Sequence, residues 1–302
     1  MIVKSRKKSG ELKILASLNN RMDLPDKYKS RFFTLQKGYE GEVLFESYIK
    51  KLQNNHLVLN DLFHQVSSTS FQLDSVMITN EKILLYEVKN YEGDYYYDSA
   101  KDRIYSKSKE IQNPYSQAVK AETLLRQLLQ NHGIQIPIDF YVVFVNPEFT
   151  LYNAPLDKPF IFPTQMHRYL EQFNNNSANI INKNRFIAEK LLSLHTSDSK
   201  FWQIPDYNYE CLKKGVTCKV CNSFNLNIEG QSCVCLDCGN REGVSNAILR
   251  SIKEFKTLFP REKITKNQIF DWCNGVISSR TVLRILKSNF KMVGNSRSTY
   301  FK

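Results

Sequence analysis

The sequence predicts an α/β protein whose core runs helix, three strands, helix, strand, followed by a cysteine-bearing module and a basic helical tail. Three observations carry the prediction. Apolar runs at 56–63, 71–79 and 82–88 are followed by a strong helix at 115–131 and a nearly all-apolar run at 138–145. Five of the seven cysteines fall within residues 218–238. Residues 241–302 hold 13 Lys/Arg against 4 Asp/Glu.

With 302 residues, the chain is long enough for two or three domains with real cores. Its 42% hydrophobic and 24% charged content excludes a disordered chain. No run reaches the roughly 18 apolar residues of a membrane helix. The start, MIVKSRKKSG, is followed by no apolar secretory segment, so a cytoplasmic location in a bacterial cell, away from membranes, is expected. The net charge is +12, and residues 241–302 carry +9 of it. Charge so placed points to a polyanion partner, nucleic acid first, over a merely solubilising surface.

Residues 1–36 are polar with a few apolar positions (Leu12, Ile14, Leu15, Leu18) and read as a helical lead-in. Leu44, Phe45, Tyr48, Ile49 and Leu52 recur at helical spacing, which predicts an amphipathic helix over 41–52. Asn80-Glu81 suits a tight hairpin between the second and third strands. Residues 95–106 alternate in part and suit a further strand; Tyr95, Tyr96 and Tyr97 could stack on bases, but a half-buried strand is the ordinary reading. Pro114 opens the helix 115–131 and His132-Gly133 closes it. The run 138–145 reads as a strand buried on both faces. A short strand at 160–162, an Asn-rich loop at 174–184 and a helix at 185–195 complete a domain taken as 37–200, with 201–215 as a linker.

Glu87 and Lys89 close the third apolar strand two residues apart, so alternation points both to one face. Asp74 lies in the strand before it. Two carboxylates and an ammonium meeting at strand ends would make a divalent-metal site beside a phosphate-reading cation. The ordered set Gly38-Tyr39-Glu40-Gly41-Glu42, Gln72-Leu73-Asp74, Glu87-Val88-Lys89-Asn90-Tyr91-Glu92-Gly93 and Asn113-Pro114-Tyr115-Ser116-Gln117 resembles the nuclease-related (NERD) domain. That domain belongs to the restriction-endonuclease-like superfamily, and the resemblance covers about residues 1–150. It implies a restriction-endonuclease-like α-β-β-β-α-β core. Leu73 stands where the superfamily signature usually has Pro, which the resembling subfamily also often lacks.

The chemistry asks for the same residue types. Hard oxygen ligands hold Mg²⁺, or Mn²⁺, against a phosphodiester attacked in line by water. Asp74 and Glu87 are the expected metal ligands, with the Val88 carbonyl as a third. Lys89 would orient or help deprotonate the water and stabilise charge building on the phosphate. The resemblance implies that Glu42 reaches the metal directly or through water. Gln117 would position the nucleophile or a phosphate, although alone it reads as a surface residue. Glu46, one turn beyond Glu42, reads as a solvated helix residue. The five histidines show no metal-ligand spacing.

Cys218-x₂-Cys221-x₁₃-Cys235-x₂-Cys238 offers four thiolates at the spacing of a closed structural Zn²⁺ site, and residues 216–242 look like a zinc ribbon. Cys233 competes with Cys235, but only Cys235 keeps the x₂ spacing. Cys211 and Cys273 read as free thiols.

Residues 245–302 read as three helices and a hairpin, similar to a winged-helix DNA-binding domain; a small protein-binding helical bundle is the rival. Thr265 caps the second helix, Asn274-Gly275 turns the chain, and Ser278 or Ser279 caps the third. That third helix would enter the major groove with Ser279, Arg280, Arg284 and Lys287, while Lys291 and Arg297 touch phosphates. The expectation is a Mg²⁺-dependent DNA phosphodiester hydrolase. A non-catalytic DNA-binding adaptor or regulator on a degenerate nuclease scaffold is the alternative, and an RNA substrate the third.

Overall fold

The computed structural model describes residues 1–52, 56–107, 109–174, 181–196, 201–294 and 299–302. The chain divides into two units: Met1–Lys8 with Phe33–Trp202, and Ser9–Phe32 with Gln203–Lys302. The stretch expected as a lead-in is thus shared between them, and residues 203–215, expected within a linker, belong to the second.

The first unit is a mixed α/β fold on a six-stranded sheet. Its strands are β1 (Ile2–Lys4), β2 (Leu57–Val66), β3 (Thr69–Ile78), β4 (Ile83–Lys89), β8 (Ile138–Phe144) and β10 (Phe160–Ile161), in that spatial order. β2, β3 and β4 form an antiparallel meander. β1 joins β2 in parallel, and β8 and β10 extend the other side in parallel. The tight turn after β3 closes with the Thr79 N–H on the Lys82 carbonyl at 3.0 Å. A second sheet orders β7 (Lys109–Ile111), β6 (Arg103–Ser106), β5 (Gly93–Asp98) and β9 (Phe149–Tyr152). In it Tyr97 is buried, Tyr95 stacks on Tyr91, and Tyr96 is exposed and stacks on Tyr105.

Helices cover both faces of the large sheet. On one, α3 (Pro114–Gln130) and α5 (Asn182–Ser193) pack Leu125, Leu128, Ile187 and Leu191 against Leu57, Leu59, Ile83 and Leu85. On the other, α2 (Asp26–Ile49) and α4 (Met166–Glu171) bring Phe45, Ile49, Met166 and Leu170 to Val58, Met77, Leu84 and Val88. Alternation along β4 explains this split, because consecutive side chains point to opposite faces.

That alternation breaks at one level of the sheet. Leu59 and Leu62 of β2 join the same core cluster although three residues apart, and so do Leu73 and Val76 of β3. Between them the register passes from Asn60–Ser75 to Leu62–Leu73 and omits Asp61–Asp74. Asp61 holds a left-handed φ of 54°, a conformation that costs non-glycine residues energy. Each strand gives up one pleat there, and this re-aims Asp74.

The second unit begins with α1 (Gly10–Arg21), capped by the Ser9 hydroxyl, which accepts the Leu12 N–H at 3.1 Å. It continues through a three-stranded antiparallel sheet of β11 (Leu226–Glu229), β12 (Ser232–Cys235) and β13 (Arg241–Gly243). Then come α6 (Val244–Leu258), α7 (Lys266–Trp272), α8 (Ser279–Asn289) and the strand pair β14 (Met292–Val293) and β15 (Tyr300–Phe301). Thr265 caps α7 and Ser278 caps α8. Ile248, Ile252, Phe255, Leu258, Trp272, Val282 and Leu286 form the helical core of this unit.

Among the described residues, no helix is long and apolar enough to cross a membrane.

Candidate active site

The ladder between β3 and β4 ends at Ser75–Tyr86, one pair before Asp74. Beyond it, the Asp74 carboxylate replaces the strand partner: Oδ2 accepts the Val88 N–H at 2.9 Å. A backbone amide released by the strand opening is thereby satisfied by a side chain. Glu87 and Lys89 follow on β4. Glu87 is buried at 6% exposure, and its Oε1 accepts from Lys89 Nζ at 2.6 Å. Asp74 and Glu87 share a small cleft with Gln72, Ala118 and Ala121.

Gln117 sits in the first turn of α3, which Pro114 starts and Asn113 caps through the Tyr115 N–H at 3.0 Å. It is half-buried, and its Oε1 accepts from Lys89 Nζ at 3.0 Å. The ammonium has three donors, so two are used by Glu87 and Gln117 and one is left for water or a phosphate oxygen.

Glu42 comes from α2. The helix passes close to the end of β4 because Gly41 has no side chain: a Cβ there would lie 2.4 Å from the Cβ of Asn90. Asn90 in turn donates to the Lys37 carbonyl at 2.8 Å.

The structure adds Arg6, which the sequence reading passed over. It lies just beyond β1, with its side chain only 2% exposed. Nη1 donates to Glu42 Oε2 and Nη2 to the Asp74 main-chain carbonyl, the group left over where the ladder omits Asp61–Asp74. Lys4 does the same for the neighbouring strand, donating to the carbonyls of Asn60 (2.8 Å) and Asp61. Glu46 is a correction: it is buried at 6% exposure, not solvated. Its Oε2 accepts the Arg6 N–H at 3.2 Å and Asn60 Nδ2 at 3.0 Å, and Ser75 Oγ donates to Asn60 Oδ1 at 2.8 Å. Besides Lys50 one turn on, the partners of Glu46 lie 14 and 40 residues away in sequence, so helix periodicity could not reveal them.

Three carboxylates therefore face two cations. Burial, and then the Asp74 charge, push Glu42 up to about 8, against the pull of Arg6. Burial and Asp74 likewise push Glu87 up to about 7, against Lys89. Burial works against the charge on Lys89, but Glu87 and Asp74 outweigh it and hold the ammonium protonated. Oxygen donors crowded this way, with negative charge in excess, fit a hard divalent cation.

In the second unit, the Sγ atoms of Cys218, Cys221, Cys235 and Cys238 all lie within 4.8 Å of one another. Cys218–Cys238 and Cys221–Cys235 are 3.6 and 3.5 Å apart. Four thiolates around zinc at about 2.3 Å would be separated by about 3.8 Å, so the set can hold a structural metal such as zinc. Cys233 is buried on β12 and lies outside the cluster. Cys273 is buried and Cys211 exposed.

On α8, Val282, Ile285 and Leu286 face the core, while Arg280, Arg284 and Lys287 are exposed; Lys291 beyond the helix is exposed as well. Ser279 is half-buried at the helix start. Among the described residues, none of these four cations has an ion-pair partner. Arg297 lies outside the described residues.

No curated protein matches the chain, and no solved structure does. A family model described as nuclease-related domain, NERD, matches residues 37–145, a segment that contains Glu42, Asp74, Glu87, Val88, Lys89 and Gln117 and leaves Arg6 outside. Over residues 37–145 the chain is therefore similar to nuclease-related domains.

Proposed function

We propose that this protein is a Mg²⁺-dependent nuclease that hydrolyses DNA phosphodiesters. Its first unit would be a restriction-endonuclease-like core, and its second a zinc ribbon followed by a winged helix that holds the substrate. One observation carries the reading: Lys89 Nζ bridges Glu87 and Gln117 beside Asp74, at the point where β3 and β4 part. A mere surface ion pair would not draw in a glutamine from a separate helix and an aspartate from the neighbouring strand.

Asp74, Glu87 and the Val88 carbonyl would hold the metal, with Glu42 reaching it directly or through water. When bound, that cation would supply Lewis acidity to the phosphate and acidity to a water. Lys89 would direct its remaining donor to the attacking water or to a phosphate oxygen where charge grows. Gln117 fixes the Lys89 ammonium. In the reaction the water oxygen would bond to phosphorus and give its proton up to solvent, while the bond to the leaving sugar oxygen breaks and that oxygen takes up a proton from solvent to leave as a hydroxyl.

Arg280, Arg284 and Lys287 recur along one exposed face of α8 and suit the major groove of duplex DNA. The deep, narrow groove of A-form RNA would not admit such a helix. Comparing Glu87→Gln with a paired Arg280→Ala, Arg284→Ala variant tests the assignment. The first should bind duplex DNA as wild type does but not cut it. The second should bind weakly, with a shallower dependence on salt. Cleavage by Glu87→Gln at the wild-type rate would favour a non-catalytic DNA-binding adaptor instead.

A further inference from the structure

We infer that Arg6 is a positioning residue for the metal-binding carboxylates, acting on Glu42 through its side chain and on Asp74 through its backbone. The inference rests on the reading above, that these carboxylates hold a divalent cation, and it adds a residue from outside the 37–145 segment.

The geometry argues for more than an incidental ion pair. A guanidinium is a rigid planar fork, and this one spans two elements, with one nitrogen on Glu42 of α2 and another on the Asp74 carbonyl of β3. Among the described residues, Arg6 is the sole hydrogen-bond partner of the Glu42 carboxylate and uses only Oε2, so Oε1 is left for a ligand. Asp74 is where the alternation of β2 and β3 breaks, so its main chain has lost the strand contact that would otherwise fix it. Arg6 supplies that contact.

Arg6 is itself held. Its N–H is bound to Glu46, which is braced by Lys50 at 2.8 Å and by Asn60, and Asn60 is braced by Ser75, the neighbour of Asp74. The relay runs from Arg6 through α2 and β2 and returns to β3 beside the carboxylate it serves. Every side chain of the relay except Lys50 is nine-tenths or more buried, which fixes rotamers that would otherwise be free.

Two physical effects of removing Arg6 oppose each other. Loss of a neighbouring positive charge would by itself favour a bound cation. Loss of positioning would disfavour it, and removing such outer partners typically costs roughly 10- to 100-fold in metal affinity. The sign of the change therefore separates positioning from simple charge competition.

The test is a calorimetric Mn²⁺ titration of the full chain with the cysteine site zinc-loaded, accompanied by thermal unfolding. Arg6→Met should weaken Mn²⁺ binding by roughly 10- to 100-fold. Arg6→Lys keeps the charge but cannot span both acceptors, so it should also bind weakly, and it serves if the methionine variant does not fold. The double variant Arg6→Met, Glu42→Gln should lose less than the sum of the two single losses, because Arg6 acts in part through Glu42 and in part through the Asp74 carbonyl. Unchanged or tighter binding in Arg6→Met, wild-type binding in Arg6→Lys, or losses that add in the double variant would each overturn the inference while leaving the nuclease reading intact. Failure of the wild type to bind Mn²⁺ would bring down that reading, and this inference with it.

Discussion

The Val88 N–H donates to Asp74 Oδ2 at 2.9 Å, immediately beyond the last β3–β4 pair, Ser75–Tyr86. That bond explains how an acidic residue inside an apolar strand comes to face the end of its neighbour. The ladder opens, the carboxylate takes over one amide, and the space created admits Glu87, Lys89 and the start of α3.

Two glycines three residues apart on α2 should respond oppositely to alanine. At Gly41 the added methyl would meet Asn90 at 2.4 Å and Val145 at 3.2 Å, so the helix must move and carry Glu42 with it. Gly41→Ala should cost about 1–3 kcal/mol of stability and roughly ten- to a hundredfold in cleavage rate. At Gly38 nothing lies within 4 Å, and Gly38→Ala should gain about 0.5–1 kcal/mol from helix propensity. Urea unfolding and cleavage kinetics on the two variants check both.

Arg21, at the end of α1, has a fully buried side chain in the second unit. It forms a two-pronged pair with Glu254 at 2.9 and 2.7 Å, donates to the carbonyls of Lys213 and Gly215, and stacks 4.0 Å from the Trp272 ring. Arg21→Met strands the Glu254 carboxylate and should destabilise that unit by about 3–5 kcal/mol. Arg21→Lys should rescue little, since an ammonium cannot fill four acceptors in a plane. Chemical denaturation followed by tryptophan fluorescence reads this change.

His64 predicts an acid limb to stability. Its Nδ1–H donates to the Leu194 carbonyl at 3.1 Å, and burial lowers its pKa from 6.5 to about 4, with His195 and Lys4 adding repulsion. Between those values the unfolded chain takes up a proton that the folded chain refuses, so stability falls as pH drops from 6.5 towards 4. The loss approaches about 3 kcal/mol at the low end. In His64→Leu the slope over this window should flatten, as measured by unfolding free energy against pH.

The metal of the second unit should discriminate between two cysteines two residues apart. Cys235→Ser should lose bound zinc and lower the melting temperature, whereas Cys233→Ser should retain one zinc per chain, because only Cys235 belongs to the four-sulfur cluster. Elemental analysis of the purified variants decides it.

What could be read from the chain follows from how local each signal is. The hairpin at Asn80-Glu81, the helix opened by Pro114 and the caps at Thr265 and Ser278 are short-range patterns, and the corresponding elements formed. Asp74, Glu87, Lys89 and Gln117 were visible because motif order survives in sequence. Arg6 was not. It follows a three-residue strand too short to show alternation, and its lysine neighbours look like a solvated basic run. Glu46 repeats Glu42 at one helical turn and resembles an exposed pair until Arg6 and Asn60 of β2 supply its distant partners. α2 starts at Asp26, well ahead of the expected 41–52, and none of its residues before Gly41 is buried, so the expectation rested on the core-facing turns alone. The break at Asp61 and Asp74 depends on two strands losing phase together, which neither strand shows alone.

The most direct measurement is cleavage of plasmid and linear DNA by the purified full chain with Mg²⁺ or Mn²⁺, with chelator and with the Asp74→Ala and Lys89→Ala variants alongside. Metal-dependent cutting is expected, abolished by chelator and lost in both variants. No cutting of any DNA form, or variants that cut as well as wild type, would contradict it.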